Sequence, residues 1–384
     1  MQKTESDRKT TVKKSTQCVR AGSQQDANMG GLNTPLQPSS AIEYLDDEVR
    51  YPRYFNTLNH QVAADKMCAL EDAEAGLVTS SGMAAIAGIL FGLLNHGDHI
   101  VLTEGLYGGT YALVTRELEK LGIAYSFSPP NTAALEASIN ANTRMVYLES
   151  PSNPLLNVVD LAAVADFARP RDIITVIDNT FASPILQNPL QHGFDLVMHS
   201  GTKYLGGHSD LICGTVNGPE ALVSHIRDYS TNHGGCLNAQ GCYLLERSLK
   251  TLDLRVRQQS DNAAVIAAAL HNCENIKRVY YPGLPGHPGH DIAASQMQGF
   301  GGMLSFELND GIDPLVYLHH LQLVTCAVSL GGVETTICQP VATSHAKMSA
   351  GERQRLGIGD GLLRLSVGIE DAEDILADLL QALG

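Results

Sequence analysis

A lysine set in a small, hydroxyl-rich turn is the first feature of this sequence that could carry chemistry. The turn His199-Ser200-Gly201-Thr202-Lys203-Tyr204-Leu205-Gly206-Gly207-His208 follows an apolar run at 194–200. Lysines ordinarily sit on solvated faces. The placement fits either a plain surface turn or an amine used as nucleophile or base. Ser200 and Thr202 are suited to donate hydroxyl hydrogen bonds to phosphate oxygens. Three further segments share the pattern of polar residues after an apolar run. Asp178 closes the run 173–178 and is followed by Asn179-Thr180, which would also suit a helix cap. Ser150-Pro151-Ser152-Asn153-Pro154 follows the run 145–150 and would also suit a Pro-braced loop with Asn153 as a turn residue. Thr79-Ser80-Ser81-Gly82-Met83-Ala84 leads into an apolar helix, whose free amides and positive dipole end would attract an anion; any capped helix offers something similar.

These residues need a scaffold that brings run ends together. HIVLTE (99–104), MVYLES (145–150), IITVID (173–178) and FDLVMHS (194–200) are short and apolar, as buried strands are. Helical patterns lie between them, at TYALVTRELEKLG (110–122) and DLAAVADFA (160–168). Such alternation predicts an α/β fold with a mostly parallel central sheet flanked by helices. Ligands of such sheets bind beyond the carboxyl ends of the strands, where all four segments fall. A further strand is expected within 210–218, and one long helical stretch at 242–272 leads to a smaller α/β C-terminal domain with strands in 301–308 and 362–369. The expected division is an N-terminal arm over 1–50, a large domain over 51–245 and a C-terminal domain over 246–384.

Composition narrows the function classes. The 384 residues carry a formal net charge of −15, which argues against nucleic acid as a partner. The longest apolar stretch, Met83 to Leu94, is too short to span a bilayer. The N-terminus lacks the apolar core of a secretory signal. With eight cysteines and no C-x-x-C pair, reduced thiols in a cytoplasmic protein are expected. The 14 histidines show no ligand spacing, so no metal is expected. A nicotinamide fingerprint, a Walker A loop and a nucleophile elbow are all missing.

Taken in order, SGM, LYGGTY, ESPSNP, IDNTFASP and HSGTKYLGGHSD resemble the Cys/Met-metabolism (trans-sulfuration) family of pyridoxal 5'-phosphate (PLP) enzymes. The likeness continues through 280–308, SLGGVET (329–335) and LLRLSVGIED (362–371), covering the chain from about residue 16. The resemblance implies the PLP-dependent transferase fold of type I and a cystathionine γ-lyase-like activity. It implies that Lys203 holds PLP as a Schiff base and shuttles protons, that Asp178 pairs with the pyridine nitrogen, and that Tyr107 stacks on the ring and serves as acid or base. Gly82, Met83, Ser200 and Thr202 would cradle the phosphate. Arg364 would hold the substrate carboxylate, supported by Asn153 and Ser329. Tyr51 and Arg53 would reach the phosphate in a neighbouring subunit, making a homodimer with shared active sites, paired into a tetramer. Glu334 would meet the distal ammonium of cystathionine.

The sequence departs from the family pattern at three points. Tyr54-Phe55-Asn56-Thr57-Leu58 stands where S-G-N-P-T is usual, and this loop is expected to line the partner's active-site entrance. Cys338-Gln339-Pro340 replaces a His-Pro pair. Gly109 stands where methionine γ-lyases carry a reactive Cys. The expected reaction is cleavage of L-cystathionine, with γ-elimination favoured and β-elimination possible. The alternatives are γ-synthase-type replacement on an O-acyl-homoserine, methionine γ-lyase activity, and a non-catalytic PLP-binding scaffold. Keeping Lys203, Asp178, Arg364 and Tyr107 together speaks against the scaffold.

Overall fold

Alternate residues of the central strands enter two different cores, which fixes the layered architecture. On β4 (Thr143–Glu149), Met145 and Tyr147 join one apolar cluster while Val146 and Leu148 join another on the opposite face. The computed structural model describes residues 12–45, 47–343, 346 and 349–384; the first eleven residues of the expected arm lie outside the described residues.

The larger sheet contains β1 (Ala75–Thr79), β2 (His99–Thr103), β3 (Ala124–Ser128), β4, β5 (Ile174–Asp178), β6 (Leu196–Ser200) and β7 (Gly214–Gly218). Its order is β1-β7-β6-β5-β4-β2-β3. The run from β6 to β3 is parallel, and β7 lies antiparallel to both β6 and β1. The mostly parallel sheet expected from the sequence is therefore present. Helices Gly82–Leu93 and Leu161–Ala168 contribute to the clusters on its two faces.

The second sheet contains β8 (Ile276–Tyr280), β9 (Met303–Leu308), β10 (Thr325–Cys326), β11 (Thr336–Cys338) and β12 (Leu362–Ser366), in the order β10-β11-β12-β9-β8. It is mainly antiparallel and packs its core against helices Leu252–His271 and Ala372–Gln381.

Three local expectations change. The long helical stretch is two helices, Ala239–Leu249 and Leu252–His271. At the break the Ser248 carbonyl accepts the Thr251 N–H at 3.2 Å and Arg255 Nη2 at 2.9 Å in place of the next helical bond. A division at 245/246 would cut the first of these helices. The stretch 110–122 begins as α-helix Gly108–Leu113 and then widens into a π-type turn at Val114–Leu118. The arm is not extended throughout, because Lys14–Arg20 is helical and seats the buried Cys18 in the core.

Phe55 is the clearest correction. Its backbone is left-handed (φ 59), the conformation glycine adopts most easily. Its ring is buried within its own chain, edge-on to His60 with centroids 6.0 Å apart. It therefore packs inward within its own chain, and the exposed rings of this loop are Tyr51 and Tyr54. Among the described residues, no helix is long and apolar enough to cross a membrane. None of their His, Cys, Asp and Glu side chains form a group of three or more placed to hold a metal ion.

Phe55→Ala should lower stability by about 3 kcal/mol, as expected for a truncated core aromatic. Urea unfolding of both proteins checks this, and an unchanged midpoint would place the ring outside the core.

Candidate active site

The carboxyl ends of β4, β5 and β6 open into a cavity of about 550 Å³. Register explains which side chains share its floor. Glu149 pairs with Asp178 across β4 and β5, and Asp178 pairs with Met198 across β5 and β6. All three line the cavity, with Ser200, Thr202 and Lys203 continuing from β6.

Lys203 is held by the fold of its turn. The Thr202 N–H donates to the Cys213 carbonyl at 3.2 Å, and the Cys213 N–H donates to Thr202 Oγ1 at 3.2 Å. Lys203 Nζ donates to Ser329 Oγ at 2.7 Å. Desolvation, aided by the nearby Arg364 charge and opposed by Asp178, pushes its ammonium down to about 8. Far more neutral amine is then present near neutral pH than in a solvated lysine, as a nucleophile or base requires.

Asp178 accepts two bonds from Thr180, from its N–H at 3.0 Å and from its hydroxyl at 2.5 Å. Desolvation pushes the Asp178 carboxyl up; the Thr180 bonds and the charges of His199 and Lys203 oppose it. Thr180 also accepts the Ser200 N–H at 2.8 Å, so one hydroxyl ties the carboxylate to the Ser200 turn.

Opposite this floor lies a guanidinium. Arg364 is buried on β12, the central strand of the second sheet. Its Nη1 donates to Asn153 Oδ1 at 3.0 Å and its Nη2 to the Ser329 carbonyl at 2.9 Å. Its buried Nε–H has no partner among the described residues. A buried charged donor without an acceptor is costly, and a substrate carboxylate would supply one. Ser329 thus serves twice, through its carbonyl to Arg364 and its hydroxyl to Lys203.

The start of helix Gly82–Leu93 closes one side. Ser81 Oγ caps it by accepting the Ala84 N–H at 3.0 Å, leaving the amides of Gly82 and Met83 ahead of the helical bonds. A Cβ on residue 82 would meet the Ser200 Cβ at 2.9 Å, so glycine lets the helix start and the Ser200 hydroxyl converge on one anion-sized space. The site therefore fits PLP: a lysine whose ammonium is easily deprotonated, a carboxylate for the pyridine nitrogen, and a phosphate cradle of amides and hydroxyls. Tyr107 lines the same cavity with its ring folded over Gly109. A Cβ there would meet Tyr107 Cε1 at 2.5 Å and Met83 Sδ at 2.8 Å, so a larger side chain at 109 would displace the ring.

The structure thus brings together Gly82, Met83, Tyr107, Asn153, Asp178, Ser200, Thr202, Lys203, Ser329 and Arg364. It does not bring in Glu334, which is exposed and accepts the Ser209 hydroxyl at 3.3 Å outside the cavity. Tyr51 and Arg53 also stand outside this chain's cavity. The Arg53 guanidinium lies 5.2 Å from the Tyr54 ring centroid and donates to the Thr231 carbonyl at 2.7 Å. Sequence reasoning missed Glu149 and the bridging role of Thr180. The signal for Glu149 was a charge directly after the apolar run 145–148. Ile212 and Val328, both exposed apolar residues at the cavity wall, had no sequence signal.

The sequence matches the Cys/Met metabolism PLP-dependent enzyme family over residues 15–384. It is 41% identical over 378 residues to a cystathionine gamma-lyase of Bacillus subtilis (strain 168), covering 97% of this chain and 99% of that one. It is equally 41% identical over 376 residues to a cystathionine beta-lyase of Lactococcus lactis subsp. cremoris (strain MG1363), covering 96% and 98%. The fold superposes on the crystal structure of cystathionine gamma-lyase from Lactobacillus plantarum complexed with L-serine with a TM-score of 0.93, at 39% identity and covering 97% and 98% of the two chains.

The rate at which apoprotein takes up PLP should rise with pH around a midpoint near 8, well below the ordinary lysine value of 10.5. The sign follows from the lowered ammonium, which loses its proton earlier as pH rises. Stopped-flow absorbance measures it, and a rise only above pH 10 would show a fully solvated lysine.

Proposed function

Because the chain belongs to the Cys/Met metabolism family of PLP-dependent enzymes, we propose that it is a carbon–sulfur lyase cleaving L-cystathionine by γ-elimination which, with uptake of one water, gives cysteine, 2-oxobutanoate and ammonia. The observation that carries this reading is the pairing of Lys203 and Arg364 through Ser329. A proton-moving amine and a carboxylate clamp then act on one amino acid at fixed spacing. When bound, PLP supplies an electron sink for the charge left as the Cα proton departs.

The residues divide the remaining work. Gly82 and Met83 amides with the Ser200 and Thr202 hydroxyls hold the phosphate. Asp178 keeps the pyridine nitrogen protonated. Lys203 anchors the cofactor and, once displaced by substrate, takes the Cα proton. Arg364 fixes the substrate carboxylate through a planar fork, and Asn153 and Ser329 hold that fork. Tyr107 covers the ring and moves a proton at the leaving sulfur. Ile212 and Val328 offer the substrate's outer half an apolar wall, which suits a thioether. With Glu334 turned to Ser209, that residue lends no support to γ- over β-elimination. The equal identity to a β-lyase favours β-elimination as the second reading.

The enzyme acts in the cytoplasm as a homodimer, paired into a tetramer, with Tyr51 and Arg53 completing the neighbour's phosphate site. Two observations support the assembly: these residues stand outside their own cavity, and the arm exposes Met29, Leu32, Tyr44, Leu45 and Val49.

Product analysis decides the chemistry. The protein is incubated with cystathionine, methionine, cysteine, or O-acyl-homoserine plus cysteine. Cysteine and 2-oxobutanoate from cystathionine are expected; homocysteine and pyruvate would identify a β-lyase, and turnover of only the last mixture would refute a lyase. For the assembly, Lys203→Ala and Arg53→Ala should each be impaired alone and regain activity when co-assembled. No recovery would place all site residues within one chain.

A further inference from the structure

Glu149 lies on the cavity floor next to Asp178, and no role above uses it. Its side chain is 6% exposed, and its Oε1 accepts the Tyr107 N–H at 2.8 Å. Tyr107 is the residue immediately before helix Gly108–Leu113, so this bond fixes where the loop after β2 turns and where the ring above it stands. On the strand side, in-register parallel pairing puts Glu149 and Asp178 on the same face of neighbouring strands. Two carboxylates so placed do not both ionise cheaply.

The surroundings decide which one holds the charge. Asp178 accepts two Thr180 bonds, and Lys203 lines the same cavity. Glu149 has the Tyr107 amide, with Asp178 on β5 and Tyr147 on its own strand as titratable neighbours. Desolvation first, and Asp178 second, push the Glu149 carboxyl far up.

We propose that Glu149 is a positioning residue working as a neutral acid: it fixes Tyr107 through the Tyr107 amide and leaves Asp178 as the anion beneath the cofactor ring. Glutamine at 149 keeps an oxygen to accept the Tyr107 N–H and an NH2 in place of the acid O–H, so it mimics the neutral acid. Leucine keeps the approximate size and leaves the Tyr107 N–H without its Glu149 acceptor. The inference rests on the reading that Tyr107 covers the ring, and its test is chosen to fail separately.

Wild type, Glu149→Gln and Glu149→Leu holoenzymes are compared for bound PLP, for kcat and KM on L-cystathionine, and by infrared difference spectroscopy. The expected result is a protonated carboxyl C=O band present in wild type and lost in Glu149→Gln. Turnover by Glu149→Gln should stay within about threefold of wild type, while Glu149→Leu loses roughly tenfold or more in kcat at unchanged PLP content, the scale of an unmade buried hydrogen bond. A carboxylate band in place of the C=O band, equal losses in both variants, or full turnover by Glu149→Leu would each overturn the proposal. If wild type binds PLP but turns over no cystathionine, the substrate reading fails, while the infrared result still decides the charge of Glu149.

Discussion

Keeping the Lys203 amine partly out of water, beside a second cation, is the constraint on which the rest of the structure depends. Arg364 and desolvation both disfavour the ammonium, and Asp178 restrains the effect. A flexible lysine would escape such a place by swinging into solvent. Here Ser329 Oγ accepts from Nζ, and the turn fixes the backbone that carries it. Thr202 and Cys213 exchange bonds, the Gly206 N–H reaches the Gly201 carbonyl at 2.8 Å, and the Gly207 N–H reaches the Lys203 carbonyl at 2.7 Å. Lys66 is a useful contrast. It is fully buried and pushed down to about 8 as well, but it donates to the Cys18 carbonyl and helps hold the arm. Desolvation alone does not make a reactive lysine; the opening onto a cavity between Asp178 and Arg364 does.

The two sheets are needed together because each supplies half of this arrangement. The parallel sheet provides Asp178 and the Lys203 turn, and the second sheet provides Arg364 with the Ser329 loop beside it. Helix Leu252–His271 keeps the halves in register. Its Arg255 donates to the Tyr204 carbonyl at 2.8 Å, next to Lys203, and its Gln259 donates to the Gly332 carbonyl at 2.6 Å, close to Ser329. The Ser305 hydroxyl adds a direct tie, donating to the Pro154 carbonyl at 2.7 Å beside Asn153. Small shifts between the sheets would therefore change the distance between amine and clamp, to which reaction geometry is most sensitive.

Much of this was legible in the sequence because local pattern and function coincide at strand ends. The apolar runs marked β2, β4, β5 and β6, and the polar residues that follow three of them, with the Gly82 turn, marked the cavity. What escaped was set by side-chain direction and by partners distant in sequence. Phe55 looked like a loop residue facing out, yet packing against His60 draws it inward despite a left-handed backbone. Glu334 sits in a segment that does reach the site, but its own carboxylate turns to Ser209. Glu149 was hidden because its meaning lies in the register between two strands, which periodicity along one strand does not contain. At the break near Thr251 the Ser248 carbonyl takes a Thr251 and an Arg255 donor, bonds that propensity does not encode.

The most direct test of the account is where the cofactor attaches. Holoprotein is reduced with borohydride, digested and mapped for the pyridoxyl group. The account predicts the label on Lys203 alone, with none on the fully buried Lys66. A label on another lysine, or a protein that retains no label, would contradict it.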